Sequence, residues 1–223
     1  MFFMSILAGT LAGASDLSAE SRSAKVEGAP ALVVVKTYNY AAVSAERLAA
    51  AKSEAGQIFT RAGISLEWIS CRVPGADDGA ACTEPLLAGR ELMLRLVDRT
   101  PATGERIVAL GESMVDREQR GGVLMTVDLC PVRAVAGRTS TSLPTLLGRA
   151  VAHEIGHLLL GSTAHPRAGL MRALWSHDEL RGLKPADWGF SAREAERMRQ
   201  TAVRAVAYVA SARHAASTTP VAP

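Results

Sequence analysis

One apolar segment constrains this chain more than any other part of its sequence. Residues 146–160, LLGRAVAHEIGHLLL, form the most apolar stretch with helical character, yet they include His153, Glu154 and His157. A helix this apolar belongs in a protein core. Two histidines and a glutamate buried there would carry a large desolvation cost unless a partner compensated for it. A metal ion is the partner that these three side chains indicate.

The order of these residues, H-E-x-x-H, also fits metal chemistry. His153 and His157 are four positions apart and project from the same helical face, so both rings can reach one ion. Glu154 turns toward the side of that ion, where it can accept a proton from a metal-bound water as general base. A catalytic zinc site needs a third protein ligand. His165 is the leading candidate, because Gly161 ends the helix and lets the chain turn back.

The segment HEIGHLLLGSTAHPRAGLM, residues 153–171, resembles the zinc signature of the metzincin metallopeptidases, including their matrix-metalloproteinase-like branch. The resemblance implies a zinc metallopeptidase in which Zn²⁺ is bound by His153, His157 and His165, with Glu154 as the base. It also implies that Met171 forms a Met-turn beneath the metal. In outline the likeness covers residues 31–212, although only about twenty positions belong to the motif.

The spacing departs from the family pattern, which has glycine three and histidine six residues after the second ligand. Here the pattern is HExxHxxxGxxxH, with Gly161 four and His165 eight residues after His157. Other third ligands therefore stay open. A carboxylate ligand would make the site resemble those of the gluzincins or aspzincins. The alternative candidates are His177, Asp178, Glu179 and Asp187.

The remaining hydrophobic pattern predicts an α/β (α+β zincin-like) fold. It has a five-stranded twisted mixed sheet with one antiparallel edge strand, an active-site helix, a Met-turn and a C-terminal helix. Strands are expected at 31–38, 64–70, 91–97, 106–114 and 121–129, and the short turn between the last two predicts a hairpin. Helices are expected after Ser44 and after Ser191, where a capping box begins. Another is expected from a cap at Thr141 or Ser142, with Pro144 in its first turn, through 146–160 to Gly161. Residues 162–190 are expected to be irregular.

The ends of the chain and its cysteines bear on the compartment. Residues 1–14 resemble a secretory signal peptide, 15–30 a linker and 213–223 a disordered tail, which leaves 31–212 as the catalytic domain. Cys71 and Cys82 bracket a turn-rich loop that a disulfide would close in an oxidising compartment, whereas Cys130 is expected to be a buried thiol. We therefore expect a secreted, periplasmic or extracellular protein.

Composition excludes several functions. The net charge of +3 and the charged fraction of 21% give no basic surface for nucleic acid, and three Trp, three Tyr and four Phe offer few stacking platforms. No apolar run reaches the roughly 18 residues that span a bilayer.

The expected function is a secreted, monomeric zinc metalloendopeptidase whose peptide or protein substrate pairs with the antiparallel sheet edge. The alternatives are a non-catalytic zinc-binding or cell-wall interaction module on the same fold, and a zinc hydrolase acting on a non-peptide amide.

Overall fold

The computed structural model describes residues 30–72, 80–99, 109–116, 118, 121–182 and 187–217. Its strands are β1 (Ala31–Asn39), β2 (Ile64–Cys71), β3 (Glu91–Val97), β4 (Gly111–Ser113) and β5 (Leu124–Asp128). Its helices are α1 (Ala45–Arg61), α2 (Ala80–Thr83), α3 (Leu129–Arg138), α4 (Leu143–Leu160), α5 (His177–Leu180) and α6 (Ala192–Ser217). The expected signal peptide, residues 1–14, and all of the expected linker 15–30 except Pro30 lie outside this part of the chain.

The strands form one five-stranded sheet in the order β2-β1-β3-β5-β4. Four strands are parallel, and β4 pairs with β5 in the antiparallel direction. The isolated antiparallel bridge between Asp116 and Gly121 extends this pair as a hairpin. The predicted mixed sheet with an antiparallel edge strand is confirmed. The edge strand itself is shorter than predicted: within the described residues β4 covers only 111–113 of the expected 106–114.

One face of the sheet carries the core. Val33 and Val35 of β1 are fully buried, and the register places Val35 beside Leu92 of β3. Their neighbours on the same face pack against α1 and α4, the two helices that make the most extensive contacts with each other. Every second residue of a strand points to the same face, which is why this face is apolar while the other carries polar side chains.

The two long helices next to the sheet begin where sequence predicts. The Ser44 side chain accepts a hydrogen bond from the Arg47 amide and caps α1. In α4 the cap is Ser142, which accepts from the Thr145 amide, and Gly161 ends the helix in the left-handed conformation at φ 59°. Glycine adopts that conformation at no steric cost, so the chain can leave the helix axis sharply after residue 160.

Three features differ from the sequence-based expectation. The last strand ends at Asp128 rather than 129, and α3 follows at once, because the Asp128 side chain caps a new helix by accepting from the Cys130 amide. The segment expected to be irregular contains the single-turn helix α5, which Ser176 and Glu179 begin with a capping box. Finally, α6 extends to Ser217, past the expected boundary at 212, because an alanine-rich run continues the helix.

The cysteines pair as expected. Cys71 at the end of β2 and Cys82 in α2 form a disulfide. Cys130 is a free thiol, as expected, but it is half-buried rather than buried. The Tyr38 hydroxyl donates to the Cys82 carbonyl at 3.1 Å, which connects α2 to β1. The disulfide lies at the β2 edge of the sheet, which is the opposite edge from β4. Among the described helices, none has the length and apolar character needed to cross a bilayer.

Candidate metal centre

Three histidines from two parts of the chain converge on one point. His153 and His157 lie one turn apart on α4, with their Nε2 atoms 3.0 Å apart. His165 comes from the segment after Gly161, and its Nε2 lies 3.3 Å from that of His153 and 3.2 Å from that of His157. Of all the described residues, these three form the one group with the donor types and spacing to hold a metal ion.

Hydrogen bonds to Nδ1 of His153 and of His157 determine which ring nitrogen of each can bind a metal ion. The Nδ1 atom of His153 lies 3.0 Å from the Leu170 carbonyl, and that of His157 lies 2.7 Å from the Ser162 carbonyl. A carbonyl oxygen only accepts, so each Nδ1 carries the proton and each Nε2 presents a lone pair. Lone pairs 3.0 Å apart repel each other unless a cation lies between them. Outer hydrogen bonds of this kind are typical of histidines that bind metals.

The spacing and charge state of the rings fit zinc. A tetrahedral zinc ion with Zn–N distances of about 2.0–2.1 Å separates its ligand nitrogens by about 3.3–3.4 Å. The three Nε2 atoms are 3.0–3.3 Å apart, which is close to this separation. Burial lowers the pKa of His153 to about 4 and also lowers the pKa of His157, which keeps both imidazoles neutral, as metal binding requires. His153, His157 and His165 therefore form a group that could bind zinc, as predicted.

Glu154 lies beside this group but points toward the sheet edge. Its side chain is 5% exposed, and the Ser113 hydroxyl of β4 donates to its Oε2 atom at 2.5 Å. Burial raises the pKa of this carboxyl to about 7; the Ser113 hydrogen bond lowers the pKa, and the nearby charge of Glu112 raises it. A buried carboxyl with a raised pKa, next to a metal-binding group, is typical of a functional site.

Residues 170–175, which follow His165 in the chain, pack against α4 next to His153 and Gly156. Met171 is fully buried there, and its Sδ atom lies so close to Gly156 that a Cβ at that position would be 2.5 Å from it. The Leu170 carbonyl accepts from His153 and also from the Trp175 indole N–H at 3.2 Å. The Trp175 ring meets His153 edge-on, with 5.9 Å between ring centroids. Residues 170–175 therefore hold the ring of His153, a proposed metal ligand, in its position.

The histidines and Glu154 line a cleft of about 530 Å³. Its walls come from β4, from α3 and α4, and from the segment between His165 and Leu180. Much of the lining is apolar and includes Leu110, Val135, Ala150, Leu174, Trp175 and Leu180. A cleft of this size with a few converging polar groups is typical of a binding site for a small molecule or a peptide segment.

The alternative third ligands lie elsewhere. His177 makes a 2.7 Å hydrogen bond with the Arg138 carbonyl, and Glu179 caps α5 and pairs with Arg172 at 3.1 Å. Asp187 accepts from the Gly189 amide. Asp178 lies in α5, outside the metal-binding group. The structure thus brings His165 to the two helical histidines rather than a carboxylate.

Sequence reasoning missed Ser113, Trp175 and the contribution of α3 to the cleft. The alternation of β4 offered a partial signal, since Gly111 and Ser113 must share a face. No sequence pattern indicated that this face meets Glu154.

No protein-family model matches the sequence, and no curated protein matches it. Among solved structures, the chain is similar to a zinc-dependent peptidase from Methanocorpusculum labreanum, with a TM-score of 0.50 and 11% identity over 74% of this chain and 99% of that one. It is also similar to an archaemetzincin from Methanopyrus kandleri, with a TM-score of 0.47 and 15% identity over 77% of this chain and 96% of that one. At such identities the likeness concerns the fold alone. The predicted α/β fold with its five-stranded mixed sheet is confirmed, and it is similar to the fold of the zinc-dependent peptidase.

Proposed function

We propose that this protein is a zinc-dependent metallopeptidase that hydrolyses peptide bonds. The observation that carries the proposal is the convergence of three imidazole Nε2 atoms beside a buried glutamate, inside a cleft that has an antiparallel edge strand as one wall. A binding module would need the histidines but would have no use for Glu154. Burying that carboxylate at 5% exposure costs stability, which a catalytic role accounts for.

Each residue has a distinct part in the proposed reaction. His153, His157 and His165 would hold zinc, which when bound polarises the scissile carbonyl and lowers the pKa of a coordinated water. Glu154 would accept the proton of the attacking water and pass it to the leaving amine. Burial makes its carboxylate more basic than that of an exposed glutamate, which suits a proton acceptor. Met171 would form the Met-turn, as its burial beneath α4 suggests.

The substrate in this proposal is a peptide segment in extended conformation. Among the strands that the structure describes, β4 is last in the sheet order and pairs with β5, and in this proposal its outer backbone groups pair with the added strand. Apolar cleft residues such as Leu174 and Trp175 would contact the peptide side chains. We also propose that the chain acts as a monomer without nucleic-acid partners. The narrower likeness to the matrix-metalloproteinase branch stays an expectation that rests on the motif alone.

The proposed compartment is secreted, periplasmic or extracellular. The disulfide between Cys71 and Cys82 supports it, since such bonds persist mainly in oxidising environments.

Metal analysis and a cleavage assay on matched variants test the proposal. Purified wild-type protein should contain about one zinc per chain and cleave unfolded casein or gelatin, and removal of zinc by a chelator should stop cleavage reversibly. Glu154→Gln should keep its zinc and lose about 10²–10⁴-fold in rate, the usual contribution of a general base. Glu46→Gln, an exposed position in the first turn of α1, is the matched control and should behave as wild type.

The outcomes separate the competing functions. A wild-type chain that binds zinc and cleaves no peptide or protein substrate would support the non-catalytic binding module, or a hydrolase of other amides if one is cut. Full activity in Glu154→Gln would exclude Glu154 as the general base. Absence of stoichiometric zinc would overturn the metal centre itself.

A further inference from the structure

The edge strand β4 is shaped around the side chain of Glu154. Gly111 pairs with Val127 of β5 and Ser113 pairs with Met125, and both partners are fully buried in the core. Gly111 and Ser113 therefore share the face of the strand that meets α4, while Glu112 between them points the other way. The only two β4 residues on this face both contact Glu154.

Ser113 restrains one oxygen of the carboxylate. Its Oγ atom lies 2.5 Å from Glu154 Oε2 and 2.9 Å from the Glu154 main-chain oxygen. A hydroxyl has a single proton to donate, and the ionised carboxylate is the stronger acceptor of the two. The shorter contact is therefore the hydrogen bond, and it joins residues 41 positions apart.

Gly111 leaves room for the rest of the side chain. A Cβ at this position would lie 2.9 Å from Glu154 Oε1 and 2.8 Å from its Cγ. It would also lie 2.9 Å from the Thr126 main-chain oxygen, so a side chain here could be accommodated only if Glu154 and the β5 backbone moved. One residue of β4 thus holds one carboxylate oxygen, and the other makes space for the second.

We propose that Ser113 is a positioning residue that holds the Glu154 carboxylate in a single orientation against β4. Glutamate has three rotatable side-chain bonds, and ordering them without a fixed partner costs conformational entropy. A displacement of about 1 Å can lower a catalysed rate by about 100-fold. The catalytic consequence rests on the proposed peptidase function, whereas the orientation itself can be observed without a substrate.

Crystal structures of the zinc-loaded protein and its variants test the orientation. In wild type, Glu154 should occupy one conformer with the Ser113 hydrogen bond intact. In Ser113→Ala the carboxylate should rotate away or split between conformers, while Ser113→Thr, which keeps the hydroxyl, should restore the wild-type position. Ser53→Ala, on the exposed face of α1, is the matched control. An unchanged single conformer in Ser113→Ala would overturn the proposal, as would a wild-type Ser113 that bonds elsewhere.

Kinetics separate positioning from simple support of the fold. With a cleaved substrate, Ser113→Ala should lower kcat by about 10–100-fold, with KM within about twofold of wild type and zinc content unchanged. Ser113→Thr should recover most of the loss, since the donor returns. Equal losses in both variants, or a change in KM alone, would count against positioning.

Cleavage activity and the orientation of Glu154 are measured separately, so the proposed function and the role of Ser113 can fail independently. If the wild-type chain cleaves nothing, the function fails, and the crystallographic comparison still decides whether Ser113 orients Glu154. If Ser113→Ala does not fold, Ser113→Cys keeps the side-chain size with a weaker donor and is expected to show the same loss of a single conformer.

Discussion

Replacing Glu154 with glutamine should change how the stability of the metal-free protein depends on pH. Burial raises the pKa of this carboxyl from 4.5 to about 7, so the native state keeps the proton to higher pH than the unfolded chain does. Between these values the native state binds more protons, and the free energy of unfolding falls as pH rises. Glutamine has the same shape and does not titrate, so the variant lacks this contribution.

The expected size follows from the two pKa values. The difference between the two pKa values, 4.5 and about 7, corresponds to about 3 kcal/mol in the free energy of unfolding, at about 1.4 kcal/mol per pKa unit. His153 acts in the opposite sense, because its pKa of about 4 lets the unfolded chain bind more protons below pH 6.5, and stability then rises with pH. Wild type and variant share the histidine contribution, so it cancels when their free energies are subtracted.

Urea unfolding with a chelator present, at half-unit steps from pH 4.5 to 7.5, measures the effect. The free energy of unfolding of Glu154→Gln minus that of wild type should increase by about 3 kcal/mol across this range. For the exposed control Ser53→Ala, which changes no titratable group, the same difference should not vary with pH. A flat difference for Glu154→Gln, or one that decreases with pH, would refute the argument that burial of Glu154 controls its protonation.

Three further predictions concern the supports of the site. Gly156→Ala should destabilise the protein by about 1–3 kcal/mol in thermal unfolding, despite the higher helix propensity of alanine, because the added methyl group would overlap Met171; an unchanged Tm would contradict this packing. Replacing Cys71 and Cys82 together with serine should cost about 3 kcal/mol of unfolding free energy and leave zinc content unchanged, since this disulfide lies at the sheet edge opposite β4; a loss of zinc would contradict this separation of the disulfide from the metal centre. His165→Ala should weaken zinc binding, measured by competition with a chromogenic chelator, by more than the roughly 10–100-fold typical of losing an outer hydrogen bond; wild-type affinity would exclude His165 as a ligand.

Local patterns account for the parts of the site that were predicted. The i, i+4 spacing of His153 and His157, the Ser142 cap and the left-handed Gly161 are properties of one helix and its ends. They depend on residues within one or two turns of each other, so sequence alone can determine them. The alternation of apolar residues likewise predicted the sheet and its antiparallel edge, although β4 is only three residues long within the described chain.

Helix α3 shows where local patterns failed. Its first residues continue the apolar run of β5, and a buried strand cannot be distinguished from a buried helix by such a run alone. The capping hydrogen bond from the Cys130 amide to Asp128 separates the two elements. Because α3 begins there, Val135 can line the cleft.

Sequence by itself predicted that His153, Glu154 and His157 share a buried helix, and it indicated a metal ion as the partner that would compensate for their burial. Only the tertiary structure showed that His165, and not a downstream carboxylate, lies beside these histidines. The segment between His157 and His165 is two residues longer than in the metzincin pattern, so the sequence spacing alone does not determine its conformation. The tertiary structure also decided the contact between Ser113 and Glu154, which joins a strand and a helix 41 residues apart. Such contacts depend on how the sheet and helix pack, and no local pattern along the chain carries that information.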